Sequence, residues 1–245
     1  MATPTRFTGG FTQDAKYQPL GLIGIPNPFF YATFEDDFLP YLPGKYTVTA
    51  SGGSVAQTTT NGSGGRTLFT TGAVATNFAS IQEAGAGFNY SAGKRFAFLT
   101  RISLADITNS AVIAGLIQTT VTPFTVTDGI YFSKAAASTS IVLTAMTGSV
   151  VVGSATITGA LTAATDIDLG FTVDQQGNVK GFYGASLVGF KNQNTAILGP
   201  NVGILASALT GSLTTAMLAP TLAVQASTAV AQTMVSDFLF AAQER

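Results

Sequence analysis

The sequence predicts an all-β fold, a jelly-roll β-sandwich with an extended N-terminal arm. Three observations carry this. Short segments alternate apolar and polar residues with a period of two, the mark of a half-buried strand. Clusters of Gly, Asn, Ser and Asp separate them. The first and last of these segments are both rich in aromatics, as expected when the two ends of the chain meet in one sheet. About a dozen such strands suit a jelly-roll or related sandwich.

Residues 1–28 read as the arm, because Phe7, Phe11, Leu20, Leu22, Ile23 and Ile25 are scattered among Gly, Pro, Thr and Gln with no sustained period. Apolar residues on such a segment need cover, from the chain's own body or from a neighbour. Residues 29–245 read as the sandwich domain. Its first strand spans Phe29 to Phe38, with Phe30, Phe34 and Phe38 set against Glu35 and Asp37. Tyr46 to Ala50 forms the next and is closed by Ser51-Gly52-Gly53. Thr58 to Gly65 is a turn cluster, followed by a strand at Arg66 to Thr71.

The middle of the chain carries the clearest alternation. In Arg95 to Leu104, Phe96, Phe98, Ile102 and Leu104 share one face and Arg95, Arg101 and Ser103 the other. Ala111 to Gln118 is apolar throughout, as for a central strand covered on both sides. Asp128-Gly129 opens a strand at Ile130 to Ser133, and Ile141 to Met146 supplies another. Asp166 to Val173 points Ile167, Leu169, Phe171 and Val173 inward and Asp166, Asp168 and Thr172 outward. The hairpin turn Asp174-Gln175-Gln176-Gly177-Asn178 leads back through Val179 to Tyr183. The last strand is Thr233 to Phe240, followed by a polar tail. One stretch departs from the pattern: Leu205, Leu209, Leu213 and Met217 recur every four residues, the spacing of one side of a short helix.

Composition narrows the function. Charged residues are 9% of 245, with 11 basic against 12 acidic and a net charge of −1. Weak mutual repulsion at such a surface favours assembly. The chain has no Cys and no His, which removes disulfides, thiolate sites, the usual neutral-pH base and the commonest metal ligand. Nucleic acid and anionic membrane both require clustered Lys and Arg, so neither is an expected partner. The N-terminal residues lack a signal peptide's pattern, and no apolar stretch approaches the roughly 20 residues of a membrane span; synthesis in the cytoplasm is expected.

Glycoside hydrolysis needs two carboxylates flanking one bond. Asp166 and Asp168, at i and i+2 on one strand face, have that spacing, with Asp36, Asp37 and Asp174 near other strand ends; an outward pair reads first as solvated surface. A calcium ion wants several oxygen ligands in one loop, and only a site assembled from separate loops (Asp37, Asp128, Asn178) offers them. Gly62-Ser63-Gly64-Gly65 lacks the following Lys-Ser/Thr of a phosphate loop and reads as a turn. With no Trp, and 18 Phe against 7 Tyr, an aromatic sugar platform has little material. The expectation is a protein without a catalytic, cofactor-binding or metal site.

The segments Phe7-Thr8-Gly9-Gly10, Pro19-Leu20-Gly21 and Gly24-Ile25-Pro26-Asn27-Pro28 resemble, in order and spacing, those of a group of tailed-bacteriophage virion proteins. So do Glu35-Asp36-Asp37-Phe38, Asp128-Gly129-Ile130-Tyr131-Phe132-Ser133-Lys134, Asp166-Ile167-Asp168-Leu169-Gly170-Phe171 and the ending Phe238 to Arg245. These are similar to head decoration, or cement, proteins with a jelly-roll of the concanavalin A or laminin-G type. The resemblance runs nearly end to end and departs between about Asn192 and Ala231, where a contact specific to this chain would lie. It implies a structural protein on the outer surface of the virion that binds the major capsid protein and stabilises the head, as a homo-oligomer, dimer or trimer. A glycan-binding module on a phage head or tail, with carbohydrate as partner, is the second reading.

Overall fold

The computed structural model describes residues 30–39, 42–58, 65–85, 87–91, 93–159, 161–184 and 211–245. They form two seven-stranded antiparallel sheets packed face to face, the all-β jelly-roll sandwich that the alternation predicts. The predicted arm over 1–28 lies outside them.

One sheet contains β1 (Tyr31–Asp36), β3 (Ser54–Thr58), β4 (Arg66–Thr70), β6 (Phe96–Leu104), β11 (Ile167–Val173), β12 (Val179–Gly184) and β14 (Thr233–Glu244). Its order is β12-β11-β6-β14-β4-β3, with β1 beside the far half of β14. The other runs β10-β9-β8-β7-β13-β5-β2. Its strands are β2 (Tyr46–Ala50), β5 (Phe78–Glu83), β7 (Ser110–Gln118), β8 (Gly129–Lys134), β9 (Ile141–Thr147), β10 (Val150–Ile157) and β13 (Leu218–Ala226).

The meeting of the two ends is as predicted: β1 pairs with β14, Tyr31 opposite Glu244 and Asp36 opposite Leu239. The last strand is longer than its sequence suggests. Ala241, Ala242 and Gln243 continue it because they pair with both β1 and β6. Phe30 precedes β1 and is 64% exposed, whereas Phe38 is buried.

Between the sheets the inward residues of β6 and β11 meet those of β7 and β8 in one continuous core. At its centre Phe171 stacks on Phe98 at 5.5 Å and contacts Phe132 of the opposite sheet at 6.1 Å. A second apolar cluster, Tyr31, Ala97, Leu99, Phe240 and Ala242, lies on the outer face of the first sheet. A third, Ile113, Ile117, Tyr131 and Ala223, is packed against Phe124 and Val126 of the β7–β8 loop. This loop is why β7 is buried on both sides, as its unbroken apolar run predicts. Gly115 in β7 is required for close approach: a Cβ there would meet Ile130 O at 2.6 Å.

Four strands escape sequence reading: β3, β5, β10 and β13. β3 and β10 are rich in Ala, Ser, Thr and Val on both faces. β5 runs Phe-Ala-Ser-Ile-Gln-Glu, with polar residues at Ser80 and Gln82 and an inward Glu83. β13 alternates Leu218, Leu222 and Val224 with Ala219, Thr221 and Ala223 but carries a proline. In β13 the interior Pro220 argues against a central strand, yet β13 lies between β7 and β5. The bonds Leu218 to Phe88 and Ala226 to Asn77 set an alternation that points the missing N–H of Pro220 towards β5. Pairing with β5 ends one residue earlier, at Thr221 opposite Gln82, so no ladder bond is lost.

The four-residue repeat does not make a helix where it can be seen. Leu205 and Leu209 lie outside the described residues, and residues 211–217 run irregularly. Leu213 enters the core while Met217 is half exposed, so the two do not share a side. Within the divergent stretch 192–231, residues 218–226 are the buried strand β13 rather than a contact surface.

Candidate functional site

The predicted pair Asp166 and Asp168 sits on the outer face of the first sheet; the Asp166 side chain keeps 35% of its surface exposed, whereas Asp168 is buried, contrary to the expectation of a solvated pair. Register brings Asp168 opposite Arg101. Arg101 Nε and Nη2 donate to the two oxygens of Asp168 at 2.7 and 3.3 Å, and Nη1 donates to Asp237 at 3.2 Å. Arg66 Nη2 donates to Asp166 at 2.8 Å and its Nε lies 3.6 Å from Asp237. The result is a ladder running Asp166, Arg66, Asp237, Arg101, Asp168 across β4, β14, β6 and β11, with the Arg101 guanidinium 5.9 Å above the Phe238 ring. Asp168 is only 4% exposed. Its bond to Arg101 leads the causes that raise the guanidinium pKa. Both candidate carboxylates are thus held by cations, an arrangement suited to holding strands in place rather than to attack or proton transfer.

The loops at one end of the sandwich use carboxylates and amides in the same inward way. Asp128 Oδ1 accepts from Thr214 Oγ1 at 2.7 Å and from Gly148 N at 3.0 Å, and these bonds, Thr214 first, lower its pKa. Gln118 Oε1 accepts from Asp128 N, and Gln82 ties Thr120 of the β7–β8 loop to Thr221 of β13. Asp174 accepts from the backbone N–H groups of Gln176 and Asn178 and from Asn178 Nδ2, while Gly177 takes a φ of 85° to close that turn. The three residues considered for calcium, Asp37, Asp128 and Asn178, are each engaged within a separate loop network: Asp37 accepts from Leu39 N. Among the described residues no group of three or more His, Cys, Asp or Glu is placed to hold a metal ion. Of the Gly62–Gly65 turn, only Gly65 is described.

A general property emerges. Every aspartate among the described residues, at positions 36, 37, 106, 128, 166, 168, 174 and 237, accepts a hydrogen bond from its own fold. Lys45 pairs with Asp36 at 3.3 Å. Lys134 is buried, donating to Ser110 O and Ala135 O, and desolvation pulls its pKa down to about 8. Charge, already sparse in the sequence, is largely engaged by the fold: Asp36, Asp168 and Lys134 are buried, while Glu35, Lys45 and Arg245 stay exposed.

Glu83 is the exception, and sequence reading passes over it. It lies in line with Ala79 and Ile81, both fully buried; a carboxylate continuing an inward series is the signal. Its Oε2 is buried with no hydrogen-bond partner, and desolvation raises its pKa to about 7. With Thr33, Phe34, Glu35, Gly44 and Lys45 it lines a groove of about 340 Å³ where the edges of the two sheets meet.

A raised carboxyl pKa makes the folded state bind more protons than the unfolded one between about pH 4.5 and 7. Stability is therefore greatest below this window and falls as pH rises through it. Glu83→Gln is expected to flatten that slope and to stabilise the protein at pH 8 by on the order of 1–2 kcal/mol, after discounting for solvent screening at a partly exposed group. Thermal melts of both proteins from pH 4 to 8 measure it, and equal slopes would refute it.

No known family profile matches this chain, and no curated protein matches it in sequence. Solved structures do match in fold. A Shewanella oneidensis MR-1 protein of unknown function is 11% identical, with 88% of this chain and 87% of that one covered at a TM-score of 0.58. The carbohydrate recognition domain of Emp47p is 8% identical over 87% and 97%, at 0.55. Peanut lectin is 9% identical over 88% and 97%, at 0.51. At these identities the likeness establishes a lectin-like jelly-roll.

Proposed function

We propose that this chain is a non-enzymatic binding module that coats the outer surface of a bacteriophage head, attaching to the major capsid protein after synthesis in the host cytoplasm. The observation that carries this reading is the sparseness of charge, 9% of residues, together with the hydrogen bonding of every described aspartate within the fold. A surface of Thr, Ser, Ala and Val whose aspartates already have partners loses little when another protein covers it, because few ions are stripped of water. The short segments that resemble those of head decoration proteins support the same reading. Purified protein is expected to co-sediment with undecorated, expanded phage heads and to saturate at a fixed number of copies per capsid. Failure to bind heads at any concentration would overturn it.

Carbohydrate binding is the second reading, favoured by the fold shared with peanut lectin and with the Emp47p carbohydrate recognition domain. Its natural location is the loop end around Asp128, Gly148 and Thr214, where polar groups from three segments converge. Saturable binding of the isolated protein to one member of a polysaccharide panel, lost in Asp128→Ala, would favour it over head decoration.

A further inference from the structure

Glu83 ends β5 directly opposite Tyr46 of β2, and its place in the inward series after Ala79 and Ile81 carries its carboxyl under the seam between the sheets. There Oε2 is buried with no hydrogen-bond partner. A protonated carboxyl tolerates such a place better than a carboxylate, because an ion withdrawn from water needs donors or a counter-charge. The groups that could serve it are few. β1 brings Glu35 and Asp36, the turn before β2 brings Lys45, and β2 itself brings Tyr46; β13, on the other side of β5, has no charged residue. Asp36 is already committed, accepting from Phe38 N at 2.8 Å, Tyr46 OH at 2.8 Å and Lys45 Nζ at 3.3 Å. It uses the Tyr46 hydroxyl proton and, as a carboxylate, has none to give.

The remaining donor stands in the groove. Lys45 lines the same space of about 340 Å³ as Glu83, and its side chain is 42% exposed. An ammonium has three N–H donors, and among the described residues only Asp36 takes one. Gly44 and Gly85 leave the walls open, since a Cβ on either would meet nothing within 4 Å. We propose that the Glu83 carboxyl has two positions, buried beneath the seam when protonated and turned out into the groove beside the Lys45 ammonium when ionised. The ammonium then lies between two carboxylates, those of Asp36 and Glu83, and the groove between the sheet edges is filled from within as pH rises. Desolvation, which raises the Glu83 pKa, is the force that drives the exchange. The inference rests on neither head decoration nor carbohydrate binding, since it concerns the isolated protein.

Nuclear magnetic resonance of the full chain from pH 4 to 8 tests it. The Glu83 carboxyl carbon reports ionisation, and three-bond couplings about χ1 and χ2 report position. The carboxyl is expected to titrate above its ordinary 4.5 and no higher than about 7, because an outward position lowers the cost of ionising. Its rotamer is expected to change with the same midpoint. In Lys45→Met that midpoint should rise by about 0.2–0.7 of a pH unit, the size of a partly exposed ion pair. A midpoint near 4.5, a rotamer identical on both sides of the titration, or a folded Lys45→Met with the parent's midpoint would each overturn it. Should Lys45→Met fail to fold, the titration and rotamer of the parent decide.

Discussion

Arg101→Leu is expected to destabilise the sandwich by about 3–5 kcal/mol, because it leaves the buried Asp168 with a charge and no cation. Asp168 contributes both carboxylate oxygens to that guanidinium, at 2.7 and 3.3 Å, and Asp237 loses a partner in the same step. At this chain length the loss corresponds to a fall of roughly 10 °C in Tm. Removing both partners should do less harm: Arg101→Leu with Asp168→Leu should recover much of it, since a well-packed apolar pair replaces a buried ion pair at little net cost. Urea unfolding of the three proteins gives the comparison. A single variant within about 1 kcal/mol of the parent would show that the ladder does not hold these strands.

Phe171→Ala is expected to cost a similar 3–5 kcal/mol, the range for truncating a fully buried phenylalanine. The ring has no exposed surface, and it joins Phe96 and Phe98 of its own sheet to Phe132 of the other, at 6.1, 5.5 and 6.1 Å. The cavity would open between the sheets, where strands on both sides limit collapse. Phe171→Leu keeps most of the volume and is expected to lose less than half as much. Equal losses in the two variants, read from urea midpoints, would mean that ring contacts rather than volume dominate the site.

Sequence reading succeeded where large and polar residues alternate. β6 and β11 declare themselves through Phe96, Phe98, Ile102 and Leu104 and through Leu169, Phe171 and Val173, and these residues build the core. Reading was poorer where inward and outward residues are alike. Val150 to Ile157 offers similar residues on both faces and a bulge, and in Leu218 to Ala226 the alternation of Leu218, Leu222 and Val224 with Ala219, Thr221 and Ala223 is broken by Pro220; the strand character of both comes from neighbours that supply hydrogen bonds and cover. The candidate site shows the same division. Asp166 and Asp168 were legible as an outward pair, but not the Arg66, Arg101 and Asp237 that surround them. Glu83 was within reach as a carboxylate in register with Ala79 and Ile81, though nothing local marks it as lacking a donor.

By itself, then, the sequence determined the class of fold, the meeting of its first and last strands, and the removal of cysteine and histidine chemistry. These follow from composition and from a period of two, both carried within a few neighbouring residues. Only the tertiary structure decided which charges meet and which remain unpartnered. Arg66 and Asp166 are 100 residues apart and Arg101 and Asp237 are 136 apart, so their pairing depends on strand order and register. A one-residue slip in register would carry each side chain to the other face of its sheet.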